Sequence, residues 1–172
     1  MRTLLHAQTH SPASTFDAIV PAPFGAVGVR LNNEHDKVFE LSYLPSGYQE
    51  KKGDSELSRR AFQQIEAYLV NSNSPFDLPL MPQGTDFQKR VWQAINAIES
   101  GQVLSYKQVG QIIQCGSPRA IGGACGANPY PLITPCHRVV ARNGIGGFAR
   151  HDDGFHIHVK RWLLRHEGID YH

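Results

Sequence analysis

The chain has 172 residues, 41% hydrophobic and 19% charged, with a formal net charge of +2. That length can bury a real core, as one ordinary domain or two small ones. The absence of low-complexity tracts and of any run of about 18 apolar residues excludes a disordered tail protein and a helical membrane span.

Residues 1–84 carry seven Lys/Arg against nine Asp/Glu, and residues 85–172 carry ten against six. The basic second half is compatible with a polyanionic partner. The three cysteines, Cys115, Cys125 and Cys136, are odd in number and lack CxxC spacing. They make a poor disulfide framework and a poor zinc site, and fit a reduced, cytoplasmic setting with one reactive thiol.

Residues 1–14 are polar and lack the apolar core of a signal peptide, so residues 1–16 read as a flexible arm. From 17 onward three β-rich runs follow, at 18–20, 26–31 and 38–44, separated by Pro21-Ala22-Pro23 and by Asn32-Asn33-Glu34-His35-Asp36. They predict a three-stranded meander. Ser55 caps a helix to about Val70 whose apolar stripe is Leu57, Ala61, Ile65 and Leu69. Residues 71–84, with Pro75, Pro79, Pro82 and Gly84, read as a linker between a unit at 17–83 and a second at 84–172.

The second unit reads as mainly helical. Thr85-Asp86-Phe87-Gln88 is a capping box opening a helix that Gly101 closes, with Phe87, Val91, Ala94, Ile95 and Ile98 on one face. Ser105-Tyr106-Lys107-Gln108 is a second box, starting a helix to about Gln114. After a turn at Cys115-Gly116, Ser117-Pro118 supplies an N-cap and an N1 proline for a short helix to about Gly126. Two brief helices joined by a glycine turn predict a helix-turn-helix. The last of these helices is built of small residues, with glycines that each lower helix stability by roughly 1 kcal/mol. Small residues permit close packing on a neighbouring helix or close approach to a surface; an arginine at its start, Arg119, leans towards a nucleic-acid groove.

Thr134-Pro135-Cys136-His137-Arg138-Val139-Val140 comes next. Pro135 fixes its own φ and pushes Thr134 towards an extended conformation, so the backbone entering Cys136 is stiff. A thiol attacks as the thiolate and needs a base, since its usual pKa is about 8.5. His137 is adjacent, but neighbours in an extended segment point apart, so a bridging water is expected between them. A histidine base wants a carboxylate on its other nitrogen. Of the acids after Cys136, Glu167 alone sits at the end of an apolar helix, predicted from Val159 to about Glu167, with Trp162, Leu163 and His166 inward. The intervening stretch holds a glycine-rich loop, Asn143 to Ala149, and then His151, Asp152, Asp153, His156 and His158, which read as a solvated polar loop in preference to a metal site.

Pro-Cys-His-Arg-Val at 135–139 resembles the active-site signature of the O6-alkylguanine-DNA alkyltransferases, the methylated-DNA–protein-cysteine methyltransferase family. Its companions stand in order: Gly84-Thr85-Asp86-Phe87-Gln88, Val91-Trp92, Ser105-Tyr106, Arg119-Ala120-Ile121-Gly122, Asn128-Pro129 and Leu163 to Gly168. The resemblance is strong over 84–168 and weak over 17–83. It implies an α+β fold, with a small ribonuclease-like α/β N-terminal domain carrying a short antiparallel sheet, then a winged-helix-like helix-turn-helix domain. It further implies single-turnover transfer of an alkyl group from O6-alkylguanine in double-stranded DNA to Cys136, with O4-alkylthymine an open second substrate. His137 and Glu167 would complete a Cys–water–His–Glu relay, Tyr106 would donate a proton to the leaving guanine, and Asn128 would tie the recognition helix to the active-site segment. Arg119 would hold the place of a nucleotide flipped through the minor groove. Lys107, Gln88, Ala120, Gly123 and Arg142 would join Arg119 and Tyr106 on DNA. Val139, Pro131, Cys125, Gly146, Gly147, Phe148 and Ala149 would line the alkylguanine pocket. No cofactor and no metal is implied: members with an N-terminal zinc hold it with cysteines, and residues 1–84 contain none. A monomer off DNA is expected. The competing readings are a lesion binder without transfer, against which Cys136 argues, a Cys-His-Glu hydrolase, and a metal module on 151–158.

Overall fold

A computed structural model describes residues 15–146 and 154–170. Strands β1 (Ala18–Ala22), β2 (Gly25–Leu31) and β3 (Val38–Leu44) form an antiparallel meander, with Ala18 opposite Val29 and Val29 opposite Leu41. Strand β1 continues through Pro21, which the sequence suggested as a break. The Ile19 amide points away from β2 to Lys51 O, and Pro21 shares that parity, so its missing N–H costs no ladder bond. Phe16, within the expected arm, is buried at 2% exposure. Residues 1–14 lie outside the described residues.

Helix α1 (Glu56–Val70) is capped by Ser55, whose Oγ accepts from the Ser58 amide. It lies on β1 and β2 and buries Leu57, Ala61, Phe62, Ile65 and Tyr68. Tyr68 takes the inward place expected of Leu69, because a period of 3.6 brings the stripe back one residue after two turns. The proline-rich segment that follows is laid along β3: Val38 N donates to Pro79 O at 2.8 Å and Met81 N to Val38 O at 2.9 Å.

In the second half, α2 (Asp86–Asn96) carries the Thr85–Gln88 capping box. It ends before Gly101 because its last turn tightens, with Ala97 N bonding Ala94 O and Ile98 N bonding Ile95 O. Helices α3 (Tyr106–Ile112) and α4 (Pro118–Gly126) are capped by Ser105 and Ser117 and pack on each other. The turn between them closes on Gly110, whose carbonyl accepts from Cys115 N at 2.8 Å. A short parallel pair, β4 (Leu104–Ser105) with β5 (Val139–Val140), ties the start of α3 to the segment after Cys136. Helix α5 (Gly154–His166) starts five residues before the expected Val159, so His156 and His158 are helical and not part of a loop. Ile157, Lys160 and Leu164 give that first part its inward face, which the histidine-rich composition concealed. One core cluster runs through both halves, from Val27, Leu41 and Ile65 to Val91, Ile121, Val139 and Leu163.

Candidate active site

Cys136 to Arg138 form a single 3-10 turn, where the sequence suggested the start of an extended run. Cys136 N bonds Thr134 O at 2.8 Å and Arg138 N bonds Pro135 O at 2.9 Å, and extended backbone begins only at Val139. The turn sinks Cys136 to 4% exposure and His137 to 0%. Arg138 keeps only 12% of its side chain exposed.

Below the turn sits Glu167, one residue past the end of α5. Its Oε2 lies 2.8 Å from His137 Nε2 and accepts from Tyr68 OH at 2.6 Å. Arg138 meets it bidentately, Nε to Oε1 at 2.8 Å and Nη2 to Oε2 at 2.9 Å, and Nη1 of the same arginine donates to Ile98 O. Burial pushes the Glu167 carboxyl up, but the hydrogen bonds from His137, Arg138 and Tyr68 outweigh it and hold the group well below the usual carboxylate range. Burial pushes His137 down, Glu167 pulls it up, and the cations Arg138 and Lys160 push it down again; the net result is an imidazole held neutral below 6.5. An ionised carboxylate only accepts, so Nε2 carries the histidine proton and Nδ1 keeps its lone pair. Nδ1 has no hydrogen-bond partner among the described residues.

On the cysteine side, Asn128 Nδ2 donates to Cys136 Sγ at 3.2 Å and to Thr134 O at 2.9 Å, joining the end of α4 to the turn. The Cys125 thiol beside it, together with burial, holds the Cys136 thiol above the ordinary range, while Asn128 and Lys160 act in the opposite sense. At rest the sulfur is therefore a protonated thiol. Lys160 is fully buried on α5, donates to Val139 O at 2.8 Å and sits 5.9 Å from the Tyr106 ring centroid. Burial lowers its pKa to about 8. Tyr106, half-buried as the first residue of α3, is kept protonated by burial and by the two nearby thiols. Gly146 is adapted to that ring, since a Cβ there would stand 3.1 Å from it.

The fold thus gathers Cys136, His137, Glu167, Asn128, Tyr106 and Cys125 around one buried thiol, with Val139 buried alongside. Pro131 and Gly146 are half-buried, Gly146 beside the Tyr106 ring; Gly147, Phe148 and Ala149 lie outside the described residues, as do His151, Asp152 and Asp153. Lys107, Arg119, Gly123 and Arg142 are exposed, and Ala120 is half-buried beside Arg119. Gln88 uses its Oε1 to cap α2 through the Thr85 amide. Sequence reasoning missed Tyr68, Arg138 and Lys160. Arg138 stood inside the quoted motif, and Lys160 stood at the spacing of Leu163 and Leu164, which is the signal that a lysine is turned inward.

The arrangement offers a buried thiol, a neutral histidine able to take its proton, and a cation to stabilise the thiolate, which suits attack on a carbon electrophile. Residues 86–169 match the family model described as 6-O-methylguanine DNA methyltransferase, DNA binding domain. The methylated-DNA–protein-cysteine methyltransferase of Salmonella typhimurium is 49% identical over 87 residues, 49% of this chain and 48% of that protein, so the chain spans about half the length of that relative. The methylated-DNA–protein-cysteine methyltransferase of Metallosphaera sedula is 32% identical over 86% of this chain and 89% of its own. The crystal structure of Mycobacterium tuberculosis OGT in complex with DNA superposes with a TM-score of 0.72 at 32% identity, covering 87% of this chain and 91% of that one.

Proposed function

Because the chain belongs to the methylated-DNA–protein-cysteine methyltransferase family, we propose that it performs direct-reversal DNA repair, moving the alkyl group of O6-alkylguanine in duplex DNA onto Cys136 in a single turnover. His137 Nδ1 takes the thiol proton through a water. The sulfur attacks the alkyl carbon in line, the S–C bond forms as the C–O6 bond breaks, and the electron pair leaves with the guanine. Tyr106 supplies the proton that neutralises the guanine, and Lys160 stabilises the thiolate until the bond is made. The thioether is stable, so each molecule acts once. The observation that carries this reading is the buried His137–Glu167 pair: it leaves a neutral base next in the chain to a buried, protonated thiol.

A duplex hides O6 inside the base stack, so the nucleotide is flipped out. The exposed cations on and around α3 and α4, Lys107, Arg119 and Arg142, are suited to the phosphates and the minor groove, with Arg119 holding the vacated place. Pro131, Cys125, Val139 and Gly146 are suited to line the alkylguanine pocket; the other expected lining residues, Gly147, Phe148 and Ala149, lie outside the described residues. Residues 17–83 and 84–172 act as a supporting and a DNA-binding unit, the protein is a monomer off DNA, and its three free thiols suit the cytoplasm. No helix among the described residues is long and apolar enough to cross a membrane.

The test is intact-protein mass after incubation with a duplex containing O6-methylguanine. We expect a gain of one methyl group, mapped to Cys136 and saturating at about one per chain, with Cys136→Ala taking up none yet still binding the duplex. Methylated base consumed beyond one per chain would establish a hydrolase, and no gain with retained binding would establish a lesion sensor.

A further inference from the structure

Tyr68 belongs to α1, in the first half of the chain, 99 residues from the carboxylate to which it donates. It is 1% exposed and fixed along its whole length. His166 Nε2 lies 2.7 Å from its backbone carbonyl, the His166 ring packs edge-on to its ring at 5.3 Å, Phe76 lies on it at 5.7 Å, and its hydroxyl ends on Glu167 Oε2 at 2.6 Å. The helix of the first half therefore grips both the last residue of α5 and the acid that follows it. Burial and the nearby carboxylate keep the Tyr68 hydroxyl protonated, so it is always a donor.

The Glu167 Oε2 that accepts from Tyr68 is the one that faces His137. Each donor on that oxygen takes a share of its negative charge and reduces what is left to hold a second proton on the imidazole. The other titratable or charged groups bearing on the pair are Arg138 from the cysteine turn, Lys160 from α5, Tyr43 from β3 and Cys136 itself. Tyr68 is the contribution of α1 to that set. We infer that Tyr68 is a positioning residue for alkyl transfer, whose hydroxyl fixes Glu167 and shares its charge so that Nε2 keeps one proton and Nδ1 stays open for the thiol proton. This rests on the proposed transfer reaction, and it gives the first half of the chain a part in the chemistry.

The experiment compares wild type, Tyr68→Phe and Phe76→Leu by the rate of methyl uptake from duplex O6-methylguanine between pH 5 and 9. The imidazole midpoint of His137 is followed in the same proteins by 15N NMR, and stability by urea unfolding. Removing the hydroxyl returns charge to the oxygen facing His137, which favours the imidazolium. In Tyr68→Phe the His137 midpoint and the acid limb of the rate should therefore rise together by about half a unit to one unit, a three- to tenfold slower transfer on that limb. Phe76→Leu loosens the packing of the Tyr68 ring and spares its hydroxyl, so it should lower stability and leave the limb in place. A midpoint and limb unmoved in Tyr68→Phe, or moved equally by both variants, would overturn the inference. A wild-type protein that takes up no methyl would instead refute the transfer reaction, and the NMR midpoint would still decide the role of Tyr68.

Discussion

The guanidinium of Arg138 meets the carboxylate of Glu167 edge to edge, with Nε 2.8 Å from Oε1 and Nη2 2.9 Å from Oε2, and the carboxylate side chain is fully buried. The charge of the acid is balanced by this arginine and not by the histidine, which leaves His137 free to be neutral. Arg138→Met would strand a buried carboxylate on His137 and Tyr68 alone. Breaking a buried pair from one side costs about 3–5 kcal/mol, and that is the loss expected in urea unfolding at pH 7. A loss below about 1 kcal/mol would mean that water reaches Glu167 and that the fork contributes little.

The same groups set the acid sensitivity of the fold. Glu167 has a folded pKa below its ordinary value of 4.5, so its contribution is complete above that value and is lost as pH falls through it towards the lower folded pKa. His137 is held below 6.5, so the unfolded chain takes up its proton first, and stability falls as pH drops from 6.5 towards the folded value. Between 6.5 and the lower folded value unfolding should then acquire a slope that grows towards about 1.4 kcal/mol per pH unit, the limit for one proton taken up on unfolding. His137→Gln should flatten that segment while leaving the steeper fall below 4.5. An unchanged slope in the variant would assign the proton to another histidine.

What could be read from the sequence was what local chemistry decides. Ser55, Thr85 with Gln88, Ser105 with Gln108, and Ser117 with Pro118 all open helices where expected, because a cap is a contact within three residues. Glu167 could be picked out as the partner of His137 because acids are scarce after Cys136 and only this one ends an apolar helix. Contacts made across the fold were not legible. Nothing in the run around Tyr68 marks it as bound for a carboxylate 99 residues away. Lys160 reads as a solvated charge until α5 turns it inward onto Val139 O. The proline-rich segment reads as a linker, since the pairing of Pro79 and Met81 with Val38 depends on an open edge of β3 that its own sequence does not announce. The 3-10 turn at Cys136 was hidden for a related reason: Pro135 predicts the backbone before it, while the turn is closed by the Arg138 amide behind it.

Arg119 stands exposed at the second position of α4, with Gly122 and Gly123 on the following turn. If its role is to occupy the place of an extruded nucleotide, its loss should matter only where there is a stack to open. Extrusion costs a few kcal/mol, so Arg119→Ala should slow methyl uptake from duplex DNA by about ten- to a hundredfold. Uptake from free O6-alkylguanine should change by less than about twofold, because the base arrives already outside a helix. Parallel uptake assays on the two substrates decide it, and equal losses on both would remove the wedge role.

Gly110 is the residue on which the helix-turn-helix closes. It lies buried in α3, and a Cβ built on it would stand 2.4 Å from the carbonyl oxygen of Cys115, with Ile121 of α4 at 3.7 Å behind. The atom in the way is backbone, held by its place in the turn between the two helices, so it cannot swing aside as a side chain would. In a free helix, Gly→Ala would gain up to about 1 kcal/mol of propensity. Here the overlap must be relieved by moving the turn, at a cost of about 1–3 kcal/mol that outweighs that gain. Gly110→Ala should therefore be destabilised in urea unfolding. Because the displaced turn carries α4 with it, duplex binding should weaken more than uptake from free O6-alkylguanine. A variant at least as stable as wild type would show that the turn yields easily and that the close approach is not what holds α3 and α4 together.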